Sequence, residues 1–445
     1  MEKKKNVIWI VVDQLRAQAL GISGDVNVHT PNIDFLARNG AEFTNAVSGM
    51  PLCCPFRGSM LTSEYPHKCA PGHDMRMPQR QTIADVFNEN GYDTCYIGKW
   101  HLDGGPVDGE RAGTHFVPRK RRGGFQTWLG YENNNAQLDC WLHGHVQERE
   151  VDMFRVKGYE TDALTGIFLK YLEEKKHKTT PFFAVLSVQP PHNPYVASPK
   201  FAKINPGEIQ FRKNVPEVDY IRKQAAEELS GYYAMIEQID NNVGKILEKL
   251  TDLEIIEDTH VIFFSDHGDM HGSHGQFRKT TIYEEAIKIP FIIGGENLGG
   301  HEVARKSGKV EEVFINHVDI APTTLGLCGI SKPDWMKGYD YSSFRLLDKE
   351  RAKGYPDSVY LQSVVPTGHH DSVNKAWRGI LTKEGYKYGC FEGTDWVLFD
   401  LNRDPYEQVN LAHNDKYKVL RQKMKTKLEK WIAETGDVFQ LPAEK

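Results

Sequence analysis

The sequence has no Cys-x-x-Cys pair, no internal repeat, no low-complexity tract and no apolar run long enough to span a membrane. It also lacks a strong excess of charge. Lys and Arg number 55 and Asp and Glu 60, for a formal net charge of -5 over 445 residues. That near-balance argues against nucleic acid or an anionic membrane as a partner. An anionic ligand would have to meet a local cluster of cations instead. The seven cysteines (Cys53, Cys54, Cys69, Cys95, Cys140, Cys328 and Cys390) are odd in number and irregularly spaced. No disulfide framework is expected, and a reducing, cytoplasmic setting is the simpler expectation. The lysine-rich start followed by the apolar run 7–12 imitates a signal peptide. The run is short, meets Asp13 at once and has no small-residue cleavage site, so it reads as a buried strand.

What is present is the makeup of a folded chain, 40% apolar and 26% charged. Its length suggests one large domain with a smaller appendage. The runs 7–12, 94–97, 182–188 and 260–264 have the composition of strands buried on both faces. Each leads into polar residues: Asp13 and Gln14, Lys99 and His101, His192, and Asp266 and His267. Helical patterns lie between. Pro31 opens one, with Gly40 past its end; Thr82 caps 83–90, with Gly91 behind it. A long stretch over about 218–250 carries Tyr232, Ile236 and Ile239 at helical spacing. Alternating strands and helices imply an α/β fold, a large mostly parallel sheet flanked by helices. Ligands sit at the C-terminal strand ends of such sheets, and this topology gathers all four polar clusters at that edge.

Beyond about 350 the texture changes. Short strands are expected over 359–365, 377–382, 386–391 and 396–401, then a helix over about 417–434, behind a charged linker at 348–353. The expected division is a catalytic domain, 1–350, and a C-terminal α+β subdomain, 351–445, in which a helix packs on an antiparallel sheet.

The densest chemical signal is Cys53-Cys54-Pro55-Phe56-Arg57-Gly58-Ser59-Met60-Leu61-Thr62. Pro55 suits the first turn of a helix, so Cys53 lies at or before a helix N-terminus, which favours an anion. Arg57 adds a forked donor set suited to an oxyanion. A cysteine alone at such a place is as readily a structural thiol; the combination with Pro55 and Arg57 points to chemistry.

Cys-x-Pro-x-Arg, followed by a small residue, Ser, an apolar residue, Leu and Thr, resembles the signature of the formylglycine-dependent sulfatases. Cys53 keeps the register and Cys54 does not. The glycine that usually closes the signature is Ser63 here. The resemblance implies an alkaline phosphatase-like fold. It implies that Cys53 is oxidised to formylglycine by a formylglycine-generating or anaerobic sulfatase-maturing enzyme. The hydrated aldehyde would be the nucleophile, oriented by Arg57. It implies a metal held by Asp13, Gln14, position 53, Asp266 and His267. Gln14 stands where a second aspartate is usual, and His267 where asparagine is common. Oxygen ligands favour Ca²⁺, while a histidine ligand and one lost carboxylate leave Mn²⁺ or Mg²⁺ open. In Gly98-Lys99-Trp100-His101, Lys99 would hold the sulfate and His101 would act as base in its release. His192, in Pro190-Pro191-His192-Asn193-Pro194, would protonate the departing alcohol, and Lys279 would contact a sulfate oxygen. Residues 316–322 and 399–411 extend the likeness over almost the whole chain.

The expected activity is therefore hydrolysis of a sulfate ester, by family likeness that of a small or oligomeric sulfated carbohydrate. A phosphonate monoester or phosphodiester hydrolase on the same scaffold is the alternative. Gln14 occurs in phosphonate monoester hydrolases, whereas the Lys99–His101 pair is generally absent from them. A non-catalytic binder of sulfated glycans would keep the cations without needing Cys53. Trp128, Tyr131, Asn133, Asn134, Asn135, Trp141 and His145 are candidates for a sugar pocket or for core. His267, His271 and His274 suggest zinc, but Gly268, Gly272 and Gly275 argue against a helix that would align them, leaving His271 structural. Asp25 with His29, and Asp139 with His143, share the spacing of two-zinc phosphodiesterases, a short pattern that arises often by chance.

Overall fold

The computed structural model describes residues 4–105, 111–295, 308–346 and 349–443. Among these residues ten strands form one sheet. Their spatial order is Gly308–Val310, Ala41–Phe43, Phe291–Gly295, Thr259–Ser265, Asn6–Val12, Phe182–Val188, Asp93–Lys99, Thr127–Tyr131, Trp141–Val146 and Arg149–Arg155. The five central strands, from Thr259–Ser265 to Thr127–Tyr131, run parallel. Antiparallel neighbours flank them on both sides. Along the first strand, Val7, Trp9 and Val11 enter one apolar layer, and Ile8, Ile10 and Val12 enter the other. A strand covered on both faces needs apolar residues at every position, hence the unbroken run. Helices Cys53–Thr62, Ile83–Glu89 and Ile320–Leu327 cover the first face; Pro31–Arg38, Glu160–Glu173 and Asp219–Asp252 cover the second. Thr82 and Asp85 form a capping box at the start of Ile83–Glu89. Among the described residues no helix is long and apolar enough to cross a membrane.

Register places the site. Val12 pairs with Ser265 on one side and Val188 on the other, and Gly98 pairs with Ser187. Asp13 and Asp266 thus leave adjacent parallel strands at one level, and Lys99 emerges two strands away at the same edge.

Of the two alternatives for residues 128–145, pocket or core, Trp128 and Tyr131 take the second. The segment contributes mainly two further strands of the sheet, Thr127–Tyr131 and Trp141–Val146. Trp128 and Tyr131 are fully buried. The Arg122 guanidinium lies 5.1 Å over the Trp128 ring, and the Tyr131 hydroxyl donates to Glu160 Oε1 at 2.6 Å. Tyr131 thus finds a buried partner through tertiary packing, which no local spacing reveals.

The C-terminal part carries four antiparallel strands, Ser358–Ser363, Trp377–Thr382, Tyr386–Phe391 and Thr394–Asp400, in sequence order. Met424, Leu428 and Ile432 of helix Lys418–Thr435 pack with Tyr360, Ile380, Tyr388 and Leu398. Of the expected linker, Asp348 lies outside the described residues; Lys349 pairs with Asp340 and Arg351 with Glu312. The other face of the small sheet packs Leu361, Trp377 and Val397 against Ile282 and Ile287 of the large domain. The Trp377 indole donates to the Thr280 carbonyl at 2.9 Å. The small sheet therefore buttresses the loop that carries Lys279.

Candidate active site

Leu52 is extended and Cys53 begins a helix, Cys53–Thr62, in which every residue is buried. Pro55 costs no hydrogen bond in this first turn. Cys53 Sγ lies 3.1 Å from Lys279 Nζ, 3.1 Å from His267 Nε2 and 3.4 Å from Asp13 Oδ1. The thiol thus stands at a helix N-terminus between a cation, an imidazole and a carboxylate.

Two buried carboxylates form the floor. Asp13 Oδ2 is 2.7 Å from Lys99 Nζ and 3.3 Å from Arg57 Nη2. Arg57 Nη2 is also 3.3 Å from Asp266 Oδ2. Its Nη1 donates to Ser187 Oγ at 2.8 Å and to the Lys99 carbonyl at 3.1 Å. The guanidinium fork therefore ties four strand ends together, which a lysine could not do. Asp266 Oδ1 accepts the backbone N–H of Gln14 and of His267, each at 3.0 Å. Burial opposes charge on Asp13, but Lys99, then His192, Arg57 and Lys279, outweigh it and hold the carboxyl well below its usual range. Burial likewise disfavours charge on Lys99, and Asp13 reverses that.

His267 Nδ1 lies 2.9 Å from the Gly268 carbonyl and donates to it. Its Nε2 lone pair then faces Asp13 Oδ1 at 3.6 Å and Asp266 Oδ1 at 3.7 Å. Burial, then Lys279, lowers this imidazole to about 4, so it is neutral. Ligand atoms of Asp13, Cys53, Asp266 and His267 all lie within 4.8 Å of one another. Hard carboxylate oxygens with one oriented neutral nitrogen fit a divalent cation. Gln14, at φ 71°, turns Oε1 toward Lys279 Nζ at 3.0 Å and donates from Nε2 to Asp269 Oδ2 at 2.6 Å.

His192 Nδ1 donates to the Asn193 carbonyl at 2.7 Å, leaving Nε2 to accept from Lys279 Nζ at 3.0 Å. Burial, then Lys279, drives its pKa well down. His192 is therefore the acceptor in this pair. His101, at φ 58° and buried, bonds through Nε2 to Asp74 Oδ1 at 2.6 Å. The structure thus brings Asp13, Gln14, Cys53, Arg57, His192, Asp266, His267 and Lys279 into one connected set of contacts. Lys99 joins through Asp13, and His101 enters two residues farther along the same chain.

Sequence reasoning missed the supports. Asp269 receives Gln14 and the Tyr195 hydroxyl (2.6 Å), and only its closeness to Asp266 in the chain hinted at it. Asp74, His73 and His369 carry no periodic signal. His271 lies buried between Asp269 and Glu228, 3.7 Å from each, while His274 stacks on Tyr283 at 4.0 Å, so the three histidines of this segment diverge. The zinc-like spacings do not assemble either. Asp25 accepts from Tyr233, Asp139 pairs with Arg155, and His143 accepts from the Val117 backbone.

Three cations, Arg57, Lys99 and Lys279, crowd around one nucleophile position in a weakly acidic chain. This is the local cluster that an anionic ligand requires. Comparison with known proteins agrees. The Sulfatase family model matches residues 5–330, and a model for the C-terminal part of N-sulphoglucosamine sulphohydrolase matches 272–434. The chain is similar to an ulvan-active sulfatase of Formosa agariphila, 32% identical, over 98% of this chain and 82% of that protein. It is similar to an endo-4-O-sulfatase of Bacteroides thetaiotaomicron, 28% identical, over 94% and 90%. Among solved structures, the Bacteroides fragilis protein yidJ superposes with a TM-score of 0.86 at 27% identity, covering 98% of this chain and 97% of that one.

Proposed function

Because this chain belongs to the sulfatase family and is a sulfuric ester hydrolase, we propose that it removes sulfate from a sulfated carbohydrate, with Cys53 matured to formylglycine and a divalent cation in the pocket. The observation that carries the chemistry is the approach of Lys279 Nζ and His267 Nε2 to the same Cys53 sulfur, each at 3.1 Å. The carbohydrate rests on the relatives, one active on ulvan and one an endo-4-O-sulfatase, and on the N-sulphoglucosamine sulphohydrolase match.

Asp13, Asp266 and His267 Nε2, with Gln14 Oε1 and the group at position 53, would hold the cation, which draws charge from the sulfate and favours ionisation of the nucleophile. Ca²⁺ suits the oxygens, and the nitrogen ligand keeps Mn²⁺ and Mg²⁺ open. A hydrated formylglycine supplies paired hydroxyls, one to attack sulfur and one whose deprotonation reforms the carbonyl and frees the product, an exit a thiol lacks. Maturation calls for a formylglycine-generating or anaerobic sulfatase-maturing enzyme as partner.

The chain's own groups then have defined tasks. Lys99 and Lys279 bind sulfate oxygens and stabilise charge in the transition state. Arg57 neutralises Asp13 and Asp266 and fixes their spacing. The Lys279–His192 pair holds a proton for the departing alcohol oxygen. His101 takes a proton as sulfate leaves. A phosphonate reading needs neither Lys99 nor His101, and both buried side chains are built into this site, Lys99 against buried Asp13 and His101 against the part-exposed Asp74.

The test is peptide mass spectrometry across residues 39–57 of protein made with a maturation enzyme, beside rates on an aryl sulfate and an aryl phosphonate. A mass change at Cys53 from CH₂SH to CHO, a faster sulfate rate and an inert Cys53→Ala variant support the reading. An unmodified thiol in active protein, or a faster phosphonate rate, overturns it.

A further inference from the structure

In the reaction proposed above, sulfate release needs a base at His101, and a neutral imidazole is basic at only one nitrogen. His101 Nε2 lies 2.6 Å from Asp74 Oδ1. An ionised carboxylate only accepts hydrogen bonds, so Nε2 carries the hydrogen. The lone pair is then on Nδ1, which is buried and has no hydrogen-bond partner among the described residues. We propose that Asp74 is a positioning residue for this reaction: it fixes His101 in the Nε2–H form and so keeps Nδ1 free as the base. The task assigned to His101 rests on the sulfatase reading; the fixed tautomer does not.

The surroundings suit the assignment. Both residues sit in left-handed backbone, Asp74 at φ 49° and His101 at φ 58°. Such conformations persist only where neighbours hold them. Arg76 and Asp103 bridge the two loops, with Arg76 Nε donating to the Asp103 carbonyl at 2.9 Å. The loop after His101 is anchored on buried Glu132, which accepts from Asp103 N at 2.7 Å and Gly104 N at 3.1 Å. Gly105 leaves room for the Asp74 side chain, since a Cβ there would meet Asp74 Cβ at 3.3 Å.

The charges around the pair are consistent. Partial burial opposes ionisation of Asp74, whose side chain keeps 42% of its exposure, but His101, then His73 and Lys99, hold its carboxyl well below the usual range. The His73 ring stands edge-on to His101 at 5.5 Å, and His369 edge-on to His73 at 5.4 Å. Burial first lowers His73 to about 4 and His369 to about 3, so both rings are neutral. They wall the pair without competing for its proton. In the release step Nδ1 takes the proton of the remaining hydroxyl at position 53. The O–H electron pair becomes the carbonyl bond, and the pair of the breaking C–O bond leaves with sulfate. Asp74 stays ionised and faces the imidazolium.

Histidine ¹⁵N NMR on protein with Cys53 left as the thiol reads the tautomer without any turnover. The wild type is expected to show His101 protonated at Nε2 and bare at Nδ1. Asp74→Asn keeps shape and tolerates positive φ, but its amide can donate as well as accept, so both tautomers should appear. In matured enzyme, Asp74→Asn is expected to lower kcat on the order of 10²-fold with KM little changed. Sulfated enzyme should build up in quenched reactions, and Asp74→Glu should restore part of the rate. In a His101→Ala background, Asp74→Asn should slow the enzyme no further. A wild-type His101 protonated at Nδ1 overturns the proposal. So does an Asp74→Asn variant that raises KM at constant kcat, or one that slows the His101→Ala enzyme further, because Asp74 would then act on substrate directly. If matured wild type fails to turn over aryl sulfates while the tautomer behaves as stated, it is the sulfatase reading that fails.

Discussion

Lys99 Nζ and Asp13 Oδ2 lie 2.7 Å apart, and neither side chain has any solvent exposure. A buried pair of this kind is a poor source of net stability, but losing one member leaves the other charge stranded. Lys99→Met keeps the length and removes the charge. It is expected to cost about 3 kcal/mol in urea unfolding and on the order of 10²-fold in kcat. Adding Asp13→Asn should recover part of the stability, since the stranded charge goes with it. Strictly additive losses would show that the two residues do not work as a pair.

The same cluster makes a prediction about cations. Asp13 and Asp266 are balanced by Arg57 and Lys99 on one side, while Asp13 Oδ1 and His267 Nε2 turn toward position 53. Chelation is expected to abolish turnover and lower the unfolding midpoint. A cation at 100 times its dissociation constant should return about 2.7 kcal/mol. His267→Asn exchanges a nitrogen for an oxygen ligand and should weaken Mn²⁺ more than Ca²⁺. A midpoint indifferent to added cation, in wild type and variant alike, would remove the metal from the proposal.

Glu160 supplies a pH dependence away from the metal ligands. Its Oε1 accepts from the Tyr131 hydroxyl at 2.6 Å and the Gln189 N–H at 3.0 Å. Burial raises this carboxyl to about 7, against the pull of the Tyr131 and Gln189 bonds. The folded protein then keeps a proton that the unfolded chain releases near 4.5. Stability from this group is greatest below that value and is lost as pH rises through about 7. Glu160→Gln mimics the protonated form. It should unfold like wild type at pH 5 and be more stable at pH 8, by on the order of 1–3 kcal/mol. Equal stability at both pH values would place the Glu160 pKa in the ordinary carboxylate range.

Much of this site was legible because it hangs on local signals. Asp13, Lys99 and Asp266 each end or directly follow a strand whose apolar run marks it, and parallel pairing then aligns them. Pro55 and Arg57 mark the nucleophile helix in the same local way. The supports were not legible because they depend on who meets whom. Nothing about the run Pro71-Gly72-His73-Asp74 tells that Asp74 will find His101 across the chain. Lys387 lies wholly buried between Glu284 and Glu407, at 2.6 and 2.7 Å, in what reads as an ordinary alternating strand. Trp128 and Tyr131 stay open between pocket and core in the sequence, because the segment mixes aromatic with polar residues and only tertiary packing shows which of them are covered.

Ser63 turns a departure from the sulfatase signature into a measurable contribution. It closes the nucleophile helix in left-handed backbone, at φ 52° and ψ 26°, where glycine is the usual residue. Its hydroxyl donates to the Val318 carbonyl at 2.6 Å and accepts from the Gly338 N–H at 2.9 Å. Those partners cross so closely that a Cβ at Gly338 would lie 2.0 Å from the Val318 oxygen. The hydroxyl therefore bridges a helix end to a backbone crossing that water cannot easily enter. Ser63→Ala should lose about 1–3 kcal/mol, because two backbone groups are left unpaired. Ser63→Gly loses the same bonds but relieves the left-handed strain, and should end about 1 kcal/mol more stable than the alanine variant. Urea unfolding of the three proteins orders them. Wild type first, glycine second and alanine last would show that the hydroxyl bonds outweigh the backbone strain. Glycine first would show that the strain is the larger of the two and that the serine is tolerated at this helix end rather than required.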